Sequence, residues 1–198
     1  MKKIAMLLSF AVVTSLNAAQ EKSKKQSEFV IYTERNHKEN HYIPSGWMGD
    51  YGDLKLNQGW TTKPAVGTSC IRIDYSGERK QGAGWTGIYW QSPANNWGDK
   101  RGGYDLSGYK SLTFMVRGEK GGEVIDKFMI GGIVGSTEMG DTDEASSDTI
   151  ELTKEWQTIT IPVQFLDMSN IIGGFGFAIN ADNNPNGAVF YIDEVKLN

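Results

Sequence analysis

The chain has 198 residues, 39% of them hydrophobic, so it is long enough for one ordinary core and argues for a single domain. Its 20 basic and 24 acidic residues give a formal net charge of −4, which disfavours a nucleic-acid partner or an anionic membrane surface. A single cysteine, Cys70, excludes an internal disulfide, and the sequence has no set of Cys and His residues that would hold structural zinc.

The amino terminus has the order of a secretory signal peptide. Lys2 and Lys3 supply positive charge, residues 4–13 are apolar, and Ala18-Ala19 are small residues suited to cleavage. The apolar run is about half of the roughly 20 residues that a membrane span needs, and no nearby cysteine could carry a lipid. We therefore predict a signal peptide over 1–19, a secreted or periplasmic protein, and no membrane insertion.

The remaining chain is predicted to be a polar tether, residues 20–28, followed by one domain of strands, residues 29–198. The tether has no apolar side chain that could join a core. In the domain, short runs alternate apolar and polar residues with a period of two: 70–75, 111–117, 158–161, 174–180 and the end of the chain, 188–197. Glycine-rich turns separate these runs, and residues 139–147 are predicted to be an acidic loop. The pattern predicts an all-β fold, a two-sheet antiparallel β-sandwich of the jelly-roll type.

Aromatic rings beside amides and carboxylates are concentrated between residues 47 and 97. A pyranose ring can stack its C–H face on an indole while its hydroxyls bond to Asp, Asn, Gln or Arg side chains. In the run 85–91, alternation allows only one face in the core, and we predict that this face carries Ile88 and Trp90. The opposite face is predicted to contact a sugar: Trp85, Tyr89 and Gln91. For any single ring, a place in the core is the alternative.

A second run, 174–180, favours a groove on the sheet. The residues opposite its core-directed Phe and Ile side chains are nearly bare: Gly174, Gly176, Ala178 and Asn180. Trp47 is predicted to reach in from a glycine-flanked loop, and Asp50 and Arg117 are predicted to add polar contacts. The predicted ligand is an oligosaccharide or polysaccharide, and its predicted contacts are Trp47, Asp50, Trp85, Tyr89, Gln91, Arg117 and Asn180.

Two other functions stay open from the residues alone. The acidic side chains near one turn, Glu119, Glu123 and Asp126, could serve a polysaccharide-active enzyme, either a glycoside hydrolase or a lyase, because separation in space decides such chemistry. A module that binds protein is a third, weaker reading. The glycine run 82–87 has the spelling of a dinucleotide loop, but a strand-like run follows it instead of a helix, which argues against nucleotide binding.

Four runs of the sequence resemble secreted bacterial jelly-roll carbohydrate-binding modules of the galactose-binding-like superfamily: Tyr42–Asp50, Gly87–Gly98, Leu112–Glu119 and Phe190–Val195. The resemblance spans roughly residues 28–198. It implies a non-catalytic protein that binds glycans on a concave sheet face. It also implies one structural calcium with a carboxylate of the last strand, Asp193, and a carboxylate of the first strand, Glu34. Asp53 is a further candidate oxygen ligand. Alternation in the last strand places Asp193 among apolar neighbours, which fits a paired or metal-bound charge; a bulged strand with Asp193 in water is the alternative.

Overall fold

The computed structural model describes residues 27–135 and 138–198, so the predicted signal peptide and residues 20–26 of the tether lie outside the described residues. The described chain forms one turn of 3-10 helix, Tyr51–Asp53, and these strands: β1 (Phe29–Tyr32), β2 (Ile43–Gly49), β3 (Leu54–Trp60), β4 (Cys70–Tyr75), β5 (Trp85–Gln91), β6 (Ser111–Gly118), β7 (Val124–Ile125), β8 (Lys127–Gly131), β9 (Glu144–Ser146), β10 (Ile150–Glu151), β11 (Gln157–Pro162), β12 (Gly173–Asn180) and β13 (Ala188–Leu197). No helix among these residues is long and apolar enough to cross a membrane.

Two antiparallel sheets pack face to face. Sheet A has the strand order β11-β6-β13-β4-β3, with β1 also paired to β13, and sheet B has the order β2-β5-β12-β8-β9. The short strands β7 and β10 form a separate pair. The predicted all-β, two-sheet antiparallel sandwich of the jelly-roll type is therefore confirmed.

The core lies between the sheets and follows the period of two. On β6, Leu112, Phe114 and Val116 are buried, and on β12 Phe175 and Phe177 are buried. The Phe114 ring meets the Phe175 ring at 5.2 Å between centroids, which joins sheet A to sheet B. Burial of each such side chain stabilises the fold by about 1.5–3 kcal/mol.

The first and last strands of the domain lie side by side in sheet A. They are antiparallel, and their register pairs Phe29 with Leu197. The pairing of β13 with β6 is interrupted by a bulge between Asp193 and Lys196, where Glu194 has a φ of 52°. The two ends of the described domain are therefore neighbours.

The predicted acidic loop over 139–147 is wrong in part, because residues Glu144–Ser146 form strand β9. This strand pairs with β8 and continues sheet B. Ala145 packs against the core while Glu144 is exposed. A strand of three residues with one small apolar side chain has too little alternation to be detected in the sequence.

Candidate functional site

The outer face of sheet B carries the residues that alternate with the core side chains of β5. Ile88 and Trp90 belong to the main core, and Trp90 is only 1% exposed. Trp85, which has the opposite parity, is 41% exposed. The predicted division of this strand into a core face and an outer face is confirmed.

Tyr89 forms a fixed floor on this face and is only 7% exposed. Its hydroxyl donates a hydrogen bond to the carbonyl oxygen of Gly131 at 2.8 Å. Its ring lies over β12, where a Cβ on Gly176 would come within 2.9 Å of the ring. Burial raises the pKa of Tyr89 well above its ordinary value. Gly176 is therefore covered by this ring, so β12 does not form an open groove at this point.

A bulge in β12 changes which glycine shares the face of Tyr89. The pairing with β5 shifts between Gly173 and Phe175. A Cβ on Gly173 would meet the Tyr89 ring at 3.2 Å, whereas a Cβ on Gly174 would meet the buried ring of Tyr42 at 2.3 Å. The predicted placement of Gly174 on the outer face is wrong, because the inserted residue moves it to the core side.

Trp97 adds a second exposed indole to this face. It is 41% exposed, and its ring meets the Tyr89 ring edge-on, with 6.3 Å between centroids and 88° between planes. The sequence pointed to this ring only as one of an aromatic-rich run, and it was not among the predicted contacts. Its position in a loop gives no alternation from which a face could be inferred.

Trp47 was predicted to lie on a loop, but it lies within strand β2. The register pairs it with Ile88, a core residue, so its side chain leaves the strand on the side away from Tyr89. It is still 38% exposed because β2 is the edge strand of sheet B. Trp47 therefore lies at the rim of the sandwich and does not share the Tyr89 face.

Strands β8, β9 and β12 complete the outer face with apolar and charged side chains. Met129 and Ala178 pack with Tyr89 in a second, smaller apolar cluster. Lys127 pairs with Ala178, and Glu144 pairs with Gly131, so both charges belong to this face. Both side chains are exposed, and the sequence analysis did not predict either of them. Lys127 could have been found, because Lys127 and Met129 alternate with core residues.

Asn180 lies beside Trp85, its partner across the β5–β12 pair. Its side-chain amide donates to the Asp126 carboxylate at 2.6 Å, and the Asn183 amide donates to the same oxygen at 2.9 Å. The predicted Asn180 is therefore brought to the exposed indole, together with a carboxylate that the sequence had suggested only for catalysis.

Asp50 and Gln91 are buried and hold loops, so they do not form an open polar rim. Asp50 accepts backbone N–H groups from Gln81, Ala83 and Gly84 at 2.8, 3.0 and 2.6 Å. Burial acts to raise the pKa of Asp50, but these N–H groups outweigh it and lower the pKa. The loop that they fix leads directly into Trp85.

Arg117 lies on the outer face of sheet A, not on sheet B. Its guanidinium carbon is 3.8 Å from the ring centroid of Tyr191 and 5.2 Å from that of Trp156. The segment 61–69, which joins β3 to β4, crosses this face. Its Lys63 carbonyl oxygen accepts the indole N–H of Trp156 at 3.3 Å. Arg117 is buried in this arrangement. The predicted grouping of Arg117 with Trp85 is wrong, because the two residues lie on opposite sheets.

The three predicted metal ligands do not come together. Asp53 accepts the Ser76 hydroxyl at 2.9 Å and the Arg79 N–H at 2.7 Å. Asp53 precedes Leu54, which pairs with Tyr75 of β4, and Tyr75 in turn pairs with Ala188 of β13. Asp193 lies five residues beyond Ala188 on β13, which is about 16 Å at 3.3 Å per residue. Residues 27–135 and 138–198 contain no group of three or more His, Cys, Asp or Glu side chains placed to hold a metal.

Glu34 and Asp193 both bind the segment 61–69. Asp193 is buried and accepts the N–H groups of Ala65 and Val66 at 2.9 and 3.2 Å, and burial raises its pKa to about 6. Hydrogen bonds from Ser69 and Thr68 lower the pKa of Glu34. Although the strand is bulged here, Asp193 does not face water. Both carboxylates therefore anchor the segment 61–69, Asp193 to the last strand of sheet A and Glu34 to the chain just after the first strand.

The carboxylates weighed for catalysis are each held by structural partners. Glu119 accepts the Tyr191 hydroxyl at 2.7 Å. Glu123 is buried and accepts the Lys120 N–H at 2.8 Å. Asp126 is held by the two amides described above. Each of these carboxylates therefore accepts at least one hydrogen bond within the fold.

Comparisons with known proteins agree with this fold. The family model described as carbohydrate binding domain 30 matches residues 24–198. A crystal structure of a family 30 carbohydrate-binding module has a TM-score of 0.60 at 16% identity, covering 87% of this chain and 88% of that one. The family 30 module of the cellulosomal cellulase Cel9D-Cel44B of Clostridium thermocellum has a TM-score of 0.59 at 17% identity, covering 87% and 98%. No curated protein matches the sequence. Because the family model covers most of the chain, the protein belongs to the carbohydrate binding domain 30 family.

Proposed function

We propose that the protein binds a β-glucan chain along the outer face of sheet B, between Trp85 and Trp97, and that it breaks no bond in the chain. One observation carries the proposal: two indoles, each 41% exposed, flank the buried Tyr89 floor of one sheet face. In a carbohydrate-binding family, exposed indoles on a fixed apolar floor are suited to stacking sugar rings.

The length of the face favours an oligosaccharide over a single sugar. Trp85 and Tyr89 are four residues apart on one strand face, which separates their Cα atoms by about 13 Å. Trp97 lies over the Tyr89 end. A ligand in contact with both indoles must therefore extend over more than one ring. Lys127, Glu144 and the Asp126–Asn180 pair are placed to bind its hydroxyl groups.

The class of glycan is supported by one related structure. The Clostridium thermocellum module belongs to a cellulase, an enzyme named for its action on a β-glucan. We extend that class of ligand to this chain as part of the proposal.

The proposal is tested by a panel of polysaccharides and of oligosaccharides of increasing length. We expect retention on β-glucans, tighter binding of a hexasaccharide than of glucose, and no release of reducing ends during long incubation. The matched control is the double variant Trp85→Ala/Trp97→Ala, which should fold and lose retention. Release of reducing ends by the parent would favour the polysaccharide-active enzyme, and a parent that binds no glycan would refute the proposal.

Calcium binding stays a prediction, now limited to Glu34 and Asp193. If a cation binds there, chelation should lower the melting temperature of the parent but not that of Asp193→Ala. Scanning calorimetry with and without EDTA checks this. Identical melting of the parent in both buffers would leave the two carboxylates as anchors of the segment 61–69 alone.

We also propose that the protein acts outside the cytoplasm. The support is the signal-like pattern of residues 1–19 and the carbohydrate-binding family, whose polymeric ligands lie outside cells.

A further inference from the structure

The segment that carries Trp97 is organised by a fully buried side chain, Asn96. The Asn96 amide donates to the carbonyl oxygens of Ser92 and Lys100 at 3.4 and 3.0 Å. Its side-chain oxygen accepts the N–H groups of Gly98 and Lys100 at 3.0 and 3.3 Å. A single asparagine thus satisfies backbone groups on both sides of Trp97, in place of the backbone pairs that a regular turn would have.

The same segment is tied to sheet B at two points. The Gln91 amide, at the end of β5, donates to the Asn96 carbonyl oxygen at 2.8 Å. The Ser45 hydroxyl, on β2, accepts the Asn95 N–H at 2.8 Å and donates to the Gln91 side-chain oxygen at 2.9 Å. These bonds join the segment to the strand that carries Trp85 and Tyr89. Gln91, which was predicted to contact the sugar, is instead buried and supports the Trp97 segment.

Close packing on the other side of Trp97 limits movement further. A Cβ on Gly98 would lie 2.4 Å from the Cα of Gly135, so the two backbones are in direct contact. Gly98 also has a φ of 83°, which a residue with a side chain adopts only with strain. The backbone on both sides of the indole is thus fixed, although the indole itself is substantially exposed.

We infer that Asn96, with Gln91 and Ser45, is a positioning residue that holds the Trp97 indole over Tyr89 in its ligand-ready direction. This inference rests on the proposed function, because it assigns a role in glycan binding. An exposed ring is fixed by few packing contacts of its own, so its direction depends on the backbone that carries it. A ring that is already immobilised loses less conformational freedom when a sugar binds, and the affinity is higher for that reason.

A double-mutant cycle with Asn96→Ala and Trp97→Ala tests this, using calorimetric titration with cellohexaose. Loss of preorganisation should lower the affinity of Asn96→Ala about three- to tenfold relative to the parent. In the Trp97→Ala background the same change should lower affinity less than about twofold, because the ring through which Asn96 acts is gone. Equal losses in both backgrounds would show a general structural role and overturn the inference.

Two further variants keep the test decisive. Ser45→Ala removes the bonds to Asn95 and Gln91 but leaves the Asn96 side chain in place. It therefore replaces Asn96→Ala in the cycle if that variant fails to fold, with the same outcomes. Asn40→Ala is the matched control, because Asn40 also organises a turn, through Glu34 and Thr33, but on the sheet A side. It should leave affinity unchanged. If Trp97→Ala itself binds as tightly as the parent, the proposed site at Trp97 fails and the inference fails with it. If Trp97→Ala weakens binding while Asn96→Ala and Ser45→Ala do not, only the inference fails.

Discussion

Replacement of Trp85 by alanine should weaken binding of a β-glucan hexasaccharide by about 1–3 kcal/mol, roughly 5- to 150-fold, and leave the fold intact. Trp85 is 41% exposed, so its truncation removes less buried apolar surface than truncation of a core tryptophan does. The bound sugar ring, in contrast, would lose the indole face on which it stacks. Calorimetric titration measures the affinity, and scanning calorimetry should show a melting temperature within a few degrees of that of the parent.

The matched control for this prediction is Trp156→Ala. Trp156 is also a partly exposed indole, but it packs on Arg117 at the outer face of sheet A. Its removal should not change the affinity for the hexasaccharide. If Trp85→Ala unfolds the domain, or binds as tightly as the parent, the assignment of the binding face to sheet B would have to be abandoned.

Replacement of Trp90 by alanine should have the opposite signature, a large loss of stability. Trp90 is 1% exposed and packs against Phe175, with 5.3 Å between ring centroids. Truncation of a buried tryptophan leaves a cavity and costs about 3–5 kcal/mol in the free energy of unfolding. For a domain of this size that lowers the melting temperature by roughly 6–20 °C. Denaturant unfolding followed by fluorescence measures the change.

The control for Trp90 is Trp90→Phe. The indole N–H of Trp90 is buried, and within the described part of the chain it has no hydrogen-bond acceptor. Phenylalanine keeps most of the ring and removes this unsatisfied donor, so its cost should be well below that of alanine. A Trp90→Ala protein that is as stable as the parent but no longer binds glycan would reverse the two faces of β5.

Local alternation was sufficient to predict the two faces of β5, although it failed at Gly174, where a bulge shifts the parity of β12. Within β5, the sequence correctly separates Ile88 and Trp90 from Trp85, because a period of two is a local property of the chain. Arg117 shows the limit of this reasoning. Its parity on β6 was correct, but which sheet β6 joins depends on long-range pairing with β13 and β11, which no local pattern encodes.

Exposure within the outer face was also beyond local reasoning. Tyr89 and Gln91 have the predicted parity, yet both are buried. The ring of Tyr89 is covered because β12 presents glycines to it, and Gln91 is covered because the Trp97 segment folds back on it. The first effect comes from a strand distant in sequence, and the second from the path of a loop, which alternation does not encode. The contacts of Glu34 and Asp193 with the segment 61–69, and the separation of Asp53 from Asp193, likewise depend on long-range pairing.

The neighbouring ends of the domain determine how it can be attached to anything else. Since Phe29 pairs with Leu197, the two ends of the described domain lie side by side in sheet A, whereas Trp85 lies in sheet B. If the glycan binds at Trp85 and Trp97 as proposed, any cargo joined at either end would be attached to the opposite sheet. With that site, an enzyme or reporter fused at either end would not compete with the polysaccharide for sheet B.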